Sequence, residues 1–167
     1  MDANAPATSS REGAGIHAGQ QMYARLLLMA LLSFAAMYVL MYAMVNRWAD
    51  VYLNVNKGYM ALLMTAPMVA IELAVMGGMY ANRALSAVMA AVSIVVLVVA
   101  FLAIRVQAGV GDGQFLRSMI PHHSSAILMC REAAIEDPEI RTLCVEIIES
   151  QQSEIDQMNA IRDRLAR

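Results

Sequence analysis

Three long apolar runs are the feature that most constrains how this chain can fold. Leu26 to Val45 and Ala84 to Ile104 contain no charged residue, and Gly58 to Ala81 contains a single one, Glu72. A helix needs about 20 apolar residues to cross the ~30 Å hydrocarbon core of a bilayer, and all three runs reach that length. A chain of 167 residues is too short to bury three such helices in a soluble core. The runs therefore predict three membrane-spanning helices, with the lipid bilayer as a partner.

The first apolar run is expected to remain as an anchor and not to be cleaved as a signal peptide. It is too long for a signal peptide, a polar segment precedes it, and Asn46-Arg47-Trp48 follows it in place of a small-residue cleavage site. Residues 1–21 are rich in alanine, glycine and serine, which predicts a disordered tail. The membrane region is therefore predicted to be residues 22–105.

Charge and motif content exclude several classes of function. The net charge of -2 and the lack of a Lys/Arg cluster argue against a nucleic-acid partner. The sequence has no credible Ser/His/Asp arrangement, no Glu-x-x-His di-iron signature and no hydrolytic zinc motif, so an enzyme is not expected. Positive residues are almost evenly divided between the two sides of the spans, and charge alone therefore does not orient the chain.

The pattern changes after the third run and predicts a soluble helical hairpin over residues 112–167. A cluster of glycines between residues 109 and 113 marks a junction. From Gln114 the apolar residues recur with the period of an amphipathic helix. Asp137-Pro138-Glu139 then predicts the start of a second helix, with Asp137 as its N-cap and Pro138 as its first residue. So short a turn makes the two helices antiparallel neighbours.

Soft-ligand side chains cluster in the first helix of this hairpin. Met119 precedes the adjacent pair His122 and His123 by about one turn, and Met129 follows them. Imidazole and thioether ligands suit Cu(I). Neighbouring residues point about 100° apart on a helix, so Met119 and His123, four residues apart, are the pair best placed to share one ion. The alternative is that both histidines pack between helices, hydrogen-bonded to Gln151 or to carbonyl groups.

Pro121 stands immediately before the histidine pair. Inside a helix it would leave the carbonyl of Arg117 without its usual partner and bend the axis. If the helix began there instead, proline would take its first position. In both cases the histidines lie at a backbone irregularity, where polar groups can converge.

The position of the turn predicts which residues face each other across the hairpin. A turn beside Asp137 places Cys130 opposite Cys144, the histidine pair level with Gln151, and Met119 opposite Glu154 and Ile155. The two cysteines could form a disulfide in an oxidising compartment, bind a soft metal in a reducing one, or serve as small apolar core residues. The secondary candidates for a site are therefore Cys130, Cys144, Gln151 and Glu154.

Methionines also recur within the apolar runs. Met60, Met64, Met68, Glu72 and Met76 follow one another at intervals of four residues. Such a series could form a path for a soft metal, and an acid within a membrane span usually faces a partner or a cavity. The alternative is that methionine acts here as an apolar filler, because steps of four residues drift by ~40° each around a helix. The methionines of the first run, at positions 37, 41 and 44, have the same two interpretations.

Several segments of the chain resemble the bacterial "domain of unknown function 305" family. They are Phe115 to His123 with its Met-Ile-Pro-His-His motif, Asp137 to Ile140, and Gln151 to Met158. The first run and Thr65 to Met68 resemble a membrane-anchored branch of that family. The resemblance implies an all-helical, ferritin-like bundle. Many members have two His-His hairpins and this chain has one, so its hairpin would form half of a four-helix bundle and a second copy would complete it as a homo-oligomer.

The resemblance also implies a function and a location. Some members, the CopM-type proteins, are exported copper-binding proteins linked to copper resistance. By resemblance the candidate copper ligands here are Met119, His122, His123, Met129 and Met158. The hairpin would be periplasmic, on a protein of the bacterial inner membrane. Two hypotheses follow: a membrane-anchored copper-binding protein for sequestration or resistance, and a non-catalytic structural or regulatory membrane protein whose hairpin binds another protein without metal.

Overall fold

A computed structural model describes the backbone of residues 7–80 and 82–167, with side chains from residue 21 onward. This part of the chain is all-helical and contains no strand, which confirms the predicted fold class. It forms five α-helices and two short 3₁₀ turns at Trp48–Asp50 and Gly77–Met79. The α-helices are α1 (Ala7–Leu40), α2 (Val55–Val75), α3 (Arg83–Arg105), α4 (Asp112–Glu132) and α5 (Pro138–Leu165).

Three of these helices are long and apolar enough to cross a membrane. The segments concerned are Gln21–Leu40, Val55–Val75 and Arg83–Arg105. Most of their large apolar side chains point outward and are exposed, which suits helices surrounded by lipid. The second span begins at Val55, before the predicted Gly58, because Asn54 caps it: the Asn54 Oδ1 atom accepts a hydrogen bond from the Lys57 N–H at 2.9 Å.

The beginning and the end of the first helix differ from the prediction. Residues 1–6 of the predicted tail lie outside the described residues, and α1 includes the rest of it, from Ala7. Extending an existing helix avoids the cost of nucleating a new one. At its other end α1 stops at Leu40, before the predicted Val45. The next residues form tighter turns, such as the bond from the Ala43 N–H to the Leu40 carbonyl at 2.9 Å.

The chain divides into two compact units. The membrane unit comprises Met1–Met37 and Ala61–Phe101, and the hairpin unit comprises Tyr38–Met60 and Leu102–Arg167. In the membrane unit, buried Leu26, Leu73 and Tyr80 form an apolar core. The Tyr23 hydroxyl donates to the Asn82 carbonyl at 2.7 Å, which ties the first helix of this unit to the start of α3.

The hairpin unit has its core between α4 and α5. Leu116, Ile120 and Ile127 of α4 pack with Ile155 and Met158 of α5, and all five are buried. These positions recur at helical spacing, so each helix contributes one apolar face. The core therefore follows the amphipathic pattern that the sequence predicts.

Both ends of the hairpin turn have the predicted structure. The Asp137 side chain accepts hydrogen bonds from the N–H groups of Glu139 at 2.8 Å and Ile140 at 3.0 Å, and Pro138 is the first helical residue. Such an N-cap contributes about 1 kcal/mol. Cys130 and Cys144 are joined as a disulfide with a Cα–Cα distance of 5.2 Å, within the usual range for such a bond. The predicted register at the cysteines is confirmed.

Candidate metal site

The connection between α1 and α2, residues 41–54, packs against α4 within the hairpin unit. The Ser124 hydroxyl donates to Asp50 Oδ2 at 2.7 Å and accepts from the Asn46 N–H at 3.1 Å. Ser124 is fully buried and Asp50 is 4% exposed. A buried carboxylate is costly unless hydrogen bonds satisfy it, so this pair is a specific anchor between the connection and the helix.

Pro121 creates a second anchor one turn away. It lies inside α4, and the missing N–H leaves the Arg117 carbonyl oxygen available. Asn54 Nδ2 donates to that oxygen at 3.3 Å. The helix therefore continues through the proline because a side chain from the connection replaces the absent donor. This confirms the predicted release of the Arg117 carbonyl.

These anchors bring four methionines and one histidine around a single cavity of about 290 Å³. We call it the thioether cavity. Met41 and Met44 follow α1, Met60 belongs to α2, and Met119 and His122 belong to α4. Met119 and His122 are three residues apart and therefore share a helix face. The structure thus joins Met119 to His122, and not to His123 as the spacing had suggested.

A cation also lines the thioether cavity. The Lys57 ammonium donates to the Met41 carbonyl oxygen at 3.0 Å and lies 3.4 Å from the centroid of the Tyr42 ring. It is therefore held by a hydrogen bond and a cation–π contact. Its positive charge still opposes binding of a second cation nearby, because like charges repel more strongly near low-dielectric walls.

His123 has different surroundings from its neighbour. It is 9% exposed, and its Nδ1 atom lies 3.0 Å from Glu154 Oε2, although the ring N–H is not aligned for a directed hydrogen bond. Burial lowers the pKa of His123 and His122 lowers it further, while Glu154 opposes the shift. His123 is therefore a neutral imidazole near pH 7.

The partner of His123 differs from the expected one. The prediction placed the histidine pair level with Gln151, but Glu154 is the residue that lies against the imidazole. The two positions are about one helical turn apart. The long glutamate side chain spans this distance, so the contact is compatible with the register that holds at the cysteines.

The other predicted ligands lie apart from the thioether cavity. Met158 is buried in the apolar core. Met129 is exposed and lines a separate hollow of about 480 Å³ beside Cys130 and Cys144. The disulfide removes both thiols as ligands. Within residues 21–80 and 82–167, no three His, Cys, Asp or Glu side chains are grouped so that they could hold a metal ion, so a site here has to use thioethers.

Residues 41–162 match the family described as Domain of unknown function (DUF305). This chain belongs to that family. An uncharacterized protein of Acanthamoeba polyphaga mimivirus is 37% identical over 144 residues, which cover 83% of this chain and 91% of that protein. No solved structure matches the chain.

The extent of the DUF305 match bears on the site. The resemblance in the sequence rested mainly on the last third of the chain, but the match begins at residue 41. It therefore includes the connection, α2 and α3 as well as the hairpin. All five donors of the thioether cavity lie inside the matched region.

Sequence reasoning did not assign Met41, Met44 and Met60 to the same site as Met119. One signal was available: the first two are three residues apart at the end of an apolar run, and the third lies one to two turns after the Asn54 cap. Nothing local indicated that this end of the run would meet a helix more than 70 residues further along the chain.

Proposed function

We propose that this protein is a membrane-anchored binder of a soft metal cation, most suitably Cu(I), which it sequesters or passes on. The observation that supports it is the thioether cavity, where four thioethers and one imidazole converge from three segments. Thioether and imidazole donors select soft, monovalent copper over cations that need oxygen ligands. No carboxylate contributes to the described lining of this cavity, so the donor set fits Cu(I) better than calcium or magnesium.

Within this function the five donors have separate roles. Met119 and His122 present a thioether and an imidazole from one rigid helix face. Met41, Met44 and Met60 supply thioethers from the connection and the second span. The Lys57 ammonium at the same cavity weakens binding by charge repulsion, which suits a site that releases its ion to an acceptor.

The disulfide supports an oxidising compartment as the location of the hairpin. Bonded cysteines persist in oxidising compartments such as the periplasm and are rare in the cytosol. Together with the family resemblance, the Cys130–Cys144 bond supports a hairpin on the periplasmic side of a bacterial inner membrane. The N-terminus and the short α2–α3 connection would then face the cytoplasm.

The adjacent histidines provide a matched test. Full-length protein in mild detergent is titrated with Cu(I) against a chromophoric chelator, as the parent and as three variants: His122→Ala, Met119→Leu with His122→Ala, and His123→Ala. We expect the first to weaken binding and the double variant to weaken it further, because leucine fills the space of methionine without a sulfur donor. His123→Ala should retain the parent affinity.

Two outcomes would contradict the proposal. The first is a folded double variant that binds Cu(I) as tightly as the parent. The second is a parent protein that does not compete with the chelator at all. Equal loss in His122→Ala and His123→Ala would place the ion between the two imidazoles, and the thioether cavity would not be the site.

One observation favours a second candidate, a protein-interaction module without metal. The hairpin exposes three large apolar side chains near the disulfide, each about half exposed or more: Met129, Ile140 and Leu143. Contiguous exposed apolar surface usually marks an interface. A second copy of the hairpin fits this surface, because pairing two hairpins would complete a four-helix bundle. If the parent binds no Cu(I), this function takes the place of the first.

A further inference from the structure

The membrane unit has a methionine-lined cavity of its own. Its volume is about 280 Å³, and four methionines contribute to its lining: Met22, Met29, Met76 and Met79. They come from α1, from the residue after α2 and from the short turn Gly77–Met79. The two methionines of α1 are seven residues apart and therefore lie on one helix face.

The same cavity is lined by Glu72. Glu72 is the one acidic residue in the three apolar runs, and it is half-buried. Among the residues whose side chains the structure describes, no Lys, Arg or His nitrogen lies within ion-pair distance of its carboxylate. An acid in a membrane span is costly unless a partner neutralises it. Here the carboxylate shares its cavity with four methionines and makes no ion pair with a described side chain.

We propose that this cavity is a second binding site, for a monovalent soft cation such as Cu(I) or Ag(I), with Glu72 as the neutralising ligand and the four methionines as thioether donors. When the exposed Arg25 side chain extends into solvent, one carboxylate and neutral thioethers give a site of charge -1, which a monovalent ion brings to zero. A divalent ion would leave a net positive charge in an apolar environment, where uncompensated charge is disfavoured. Thioethers select the soft ion among the monovalent ones.

Arg25 is the competing partner for Glu72. It lines the same cavity and is exposed, and a long arginine side chain can reorient to reach a carboxylate. If an Arg25–Glu72 pair were the reason for the acid, Glu72→Gln would lower stability and leave metal binding unchanged. If Arg25 competes with the ion, Arg25→Gln should tighten binding.

None of these residues lines the thioether cavity. The series at four-residue intervals is therefore divided between the two cavities: Glu72 and Met76 line the membrane-unit cavity, whereas Met60 lines the thioether cavity.

The test counts bound ions on the full-length protein in detergent. Ag(I) is the probe, because it resembles Cu(I) and does not change oxidation state, and bound silver is measured by mass spectrometry after desalting. Glu72→Gln and the double change Met76→Leu with Met79→Leu are each made in the parent and in the Met119→Leu/His122→Ala background. Met64→Leu, in the same span and exposed, is the matched control.

We expect Glu72→Gln and the double leucine variant each to lose one silver ion in both backgrounds, and Met64→Leu to lose none. Retention of the parent count by the folded double leucine variant would overturn the inference, even if Glu72→Gln does not fold. So would a Glu72→Gln protein that is less stable but binds the same number of ions. If bound silver is lost only when Met119 and His122 are changed, the proposed function holds and this second site is refuted. If it is lost only when Glu72, or Met76 with Met79, is changed, the second site holds and the thioether cavity is refuted as a site.

Discussion

The hydrogen bond that replaces the donor missing at Pro121 leads to a quantitative prediction. Asn54 is 5% exposed. Its Oδ1 atom caps α2 at the Lys57 N–H, and its Nδ2 atom donates to the Arg117 carbonyl. Asn54→Ala removes the cap, which costs about 1 kcal/mol. It also leaves a partly buried carbonyl without a partner, which costs about 1 kcal/mol more. Asn54 Nδ2 also donates to the Tyr52 carbonyl at 3.0 Å, so we expect a loss of at least about 2 kcal/mol in the free energy of unfolding.

A double-mutant cycle isolates the second part of that loss. In Pro121→Ala the new N–H at position 121 can satisfy the Arg117 carbonyl within the helix, as at any ordinary helical position. Asn54→Ala should then cost about 1 kcal/mol less than it does in the parent, because the Arg117 carbonyl no longer depends on Asn54. The expected coupling between the two positions is therefore about 1 kcal/mol. Asn54→Asp keeps the capping oxygen but sets a buried carboxylate oxygen against the Tyr52 and Arg117 carbonyl oxygens, so we expect it to cost more than Asn54→Ala.

The free energies are measured by denaturant titration in mixed micelles, followed by far-ultraviolet circular dichroism and by the fluorescence of the single tryptophan, Trp48, which lies in the connection. Asn46→Ala is the control, because in the same connection the Asn46 backbone N–H makes the hydrogen bond to Ser124. An equal cost of Asn54→Ala with and without Pro121 would refute the argument, since the carbonyl would then not depend on Asn54.

Three further predictions concern the hairpin unit. Because burial lowers the pKa of His123, the unfolded chain binds the proton more readily than the folded one. The stabilising contribution of His123 should therefore be complete above about pH 6.5 and fall as the pH drops below it. Thermal unfolding scans from pH 8 to 5 should show this fall, and a folded His123→Gln variant with the same dependence on pH would contradict it. Cys144→Ser, which opens the loop closed by the disulfide, should lower stability by about 3 kcal/mol in the same denaturant assay, and no difference from parent protein under oxidising conditions would count against a formed bond. Leu143→Glu should convert a dimer in mild detergent to monomer in analytical ultracentrifugation, because a charge would enter an apolar interface; a parent that is monomeric at high concentration would show that the interface does not exist.

The elements that the sequence predicts well are those whose signals are local. Long uncharged runs define the spans, and the Asp137-Pro138-Glu139 segment defines the start of α5 through cap and proline chemistry. The cysteine pairing follows, because both residues lie within two turns of that segment. Each of these inferences uses residues close together in the chain, where helix geometry leaves little freedom.

The candidate site was predicted less completely because non-local contacts determine it. Asp50 and Ser124 are 74 residues apart, and nothing in either segment marks the other as its partner. The methionines after α1 join Met119 only because this anchor and the Asn54 bond hold the connection against α4. The polar residues of the connection are ordinary loop residues in the sequence, and their partners are visible only in the fold.

The different surroundings of His122 and His123 were also difficult to predict from the sequence. Neighbouring helical residues differ by about 100° in direction, so a small error in helix phase exchanges their surroundings. His123 is the buried imidazole against Glu154, and His122 is the exposed one at the thioether cavity. Their rings are only 6.0 Å apart, so charge at one affects the other. A cation bound at His122 would lower the pKa of His123 further, by the same repulsion that His122 exerts. Ion binding and a neutral, packed His123 therefore support each other, and acidification opposes both.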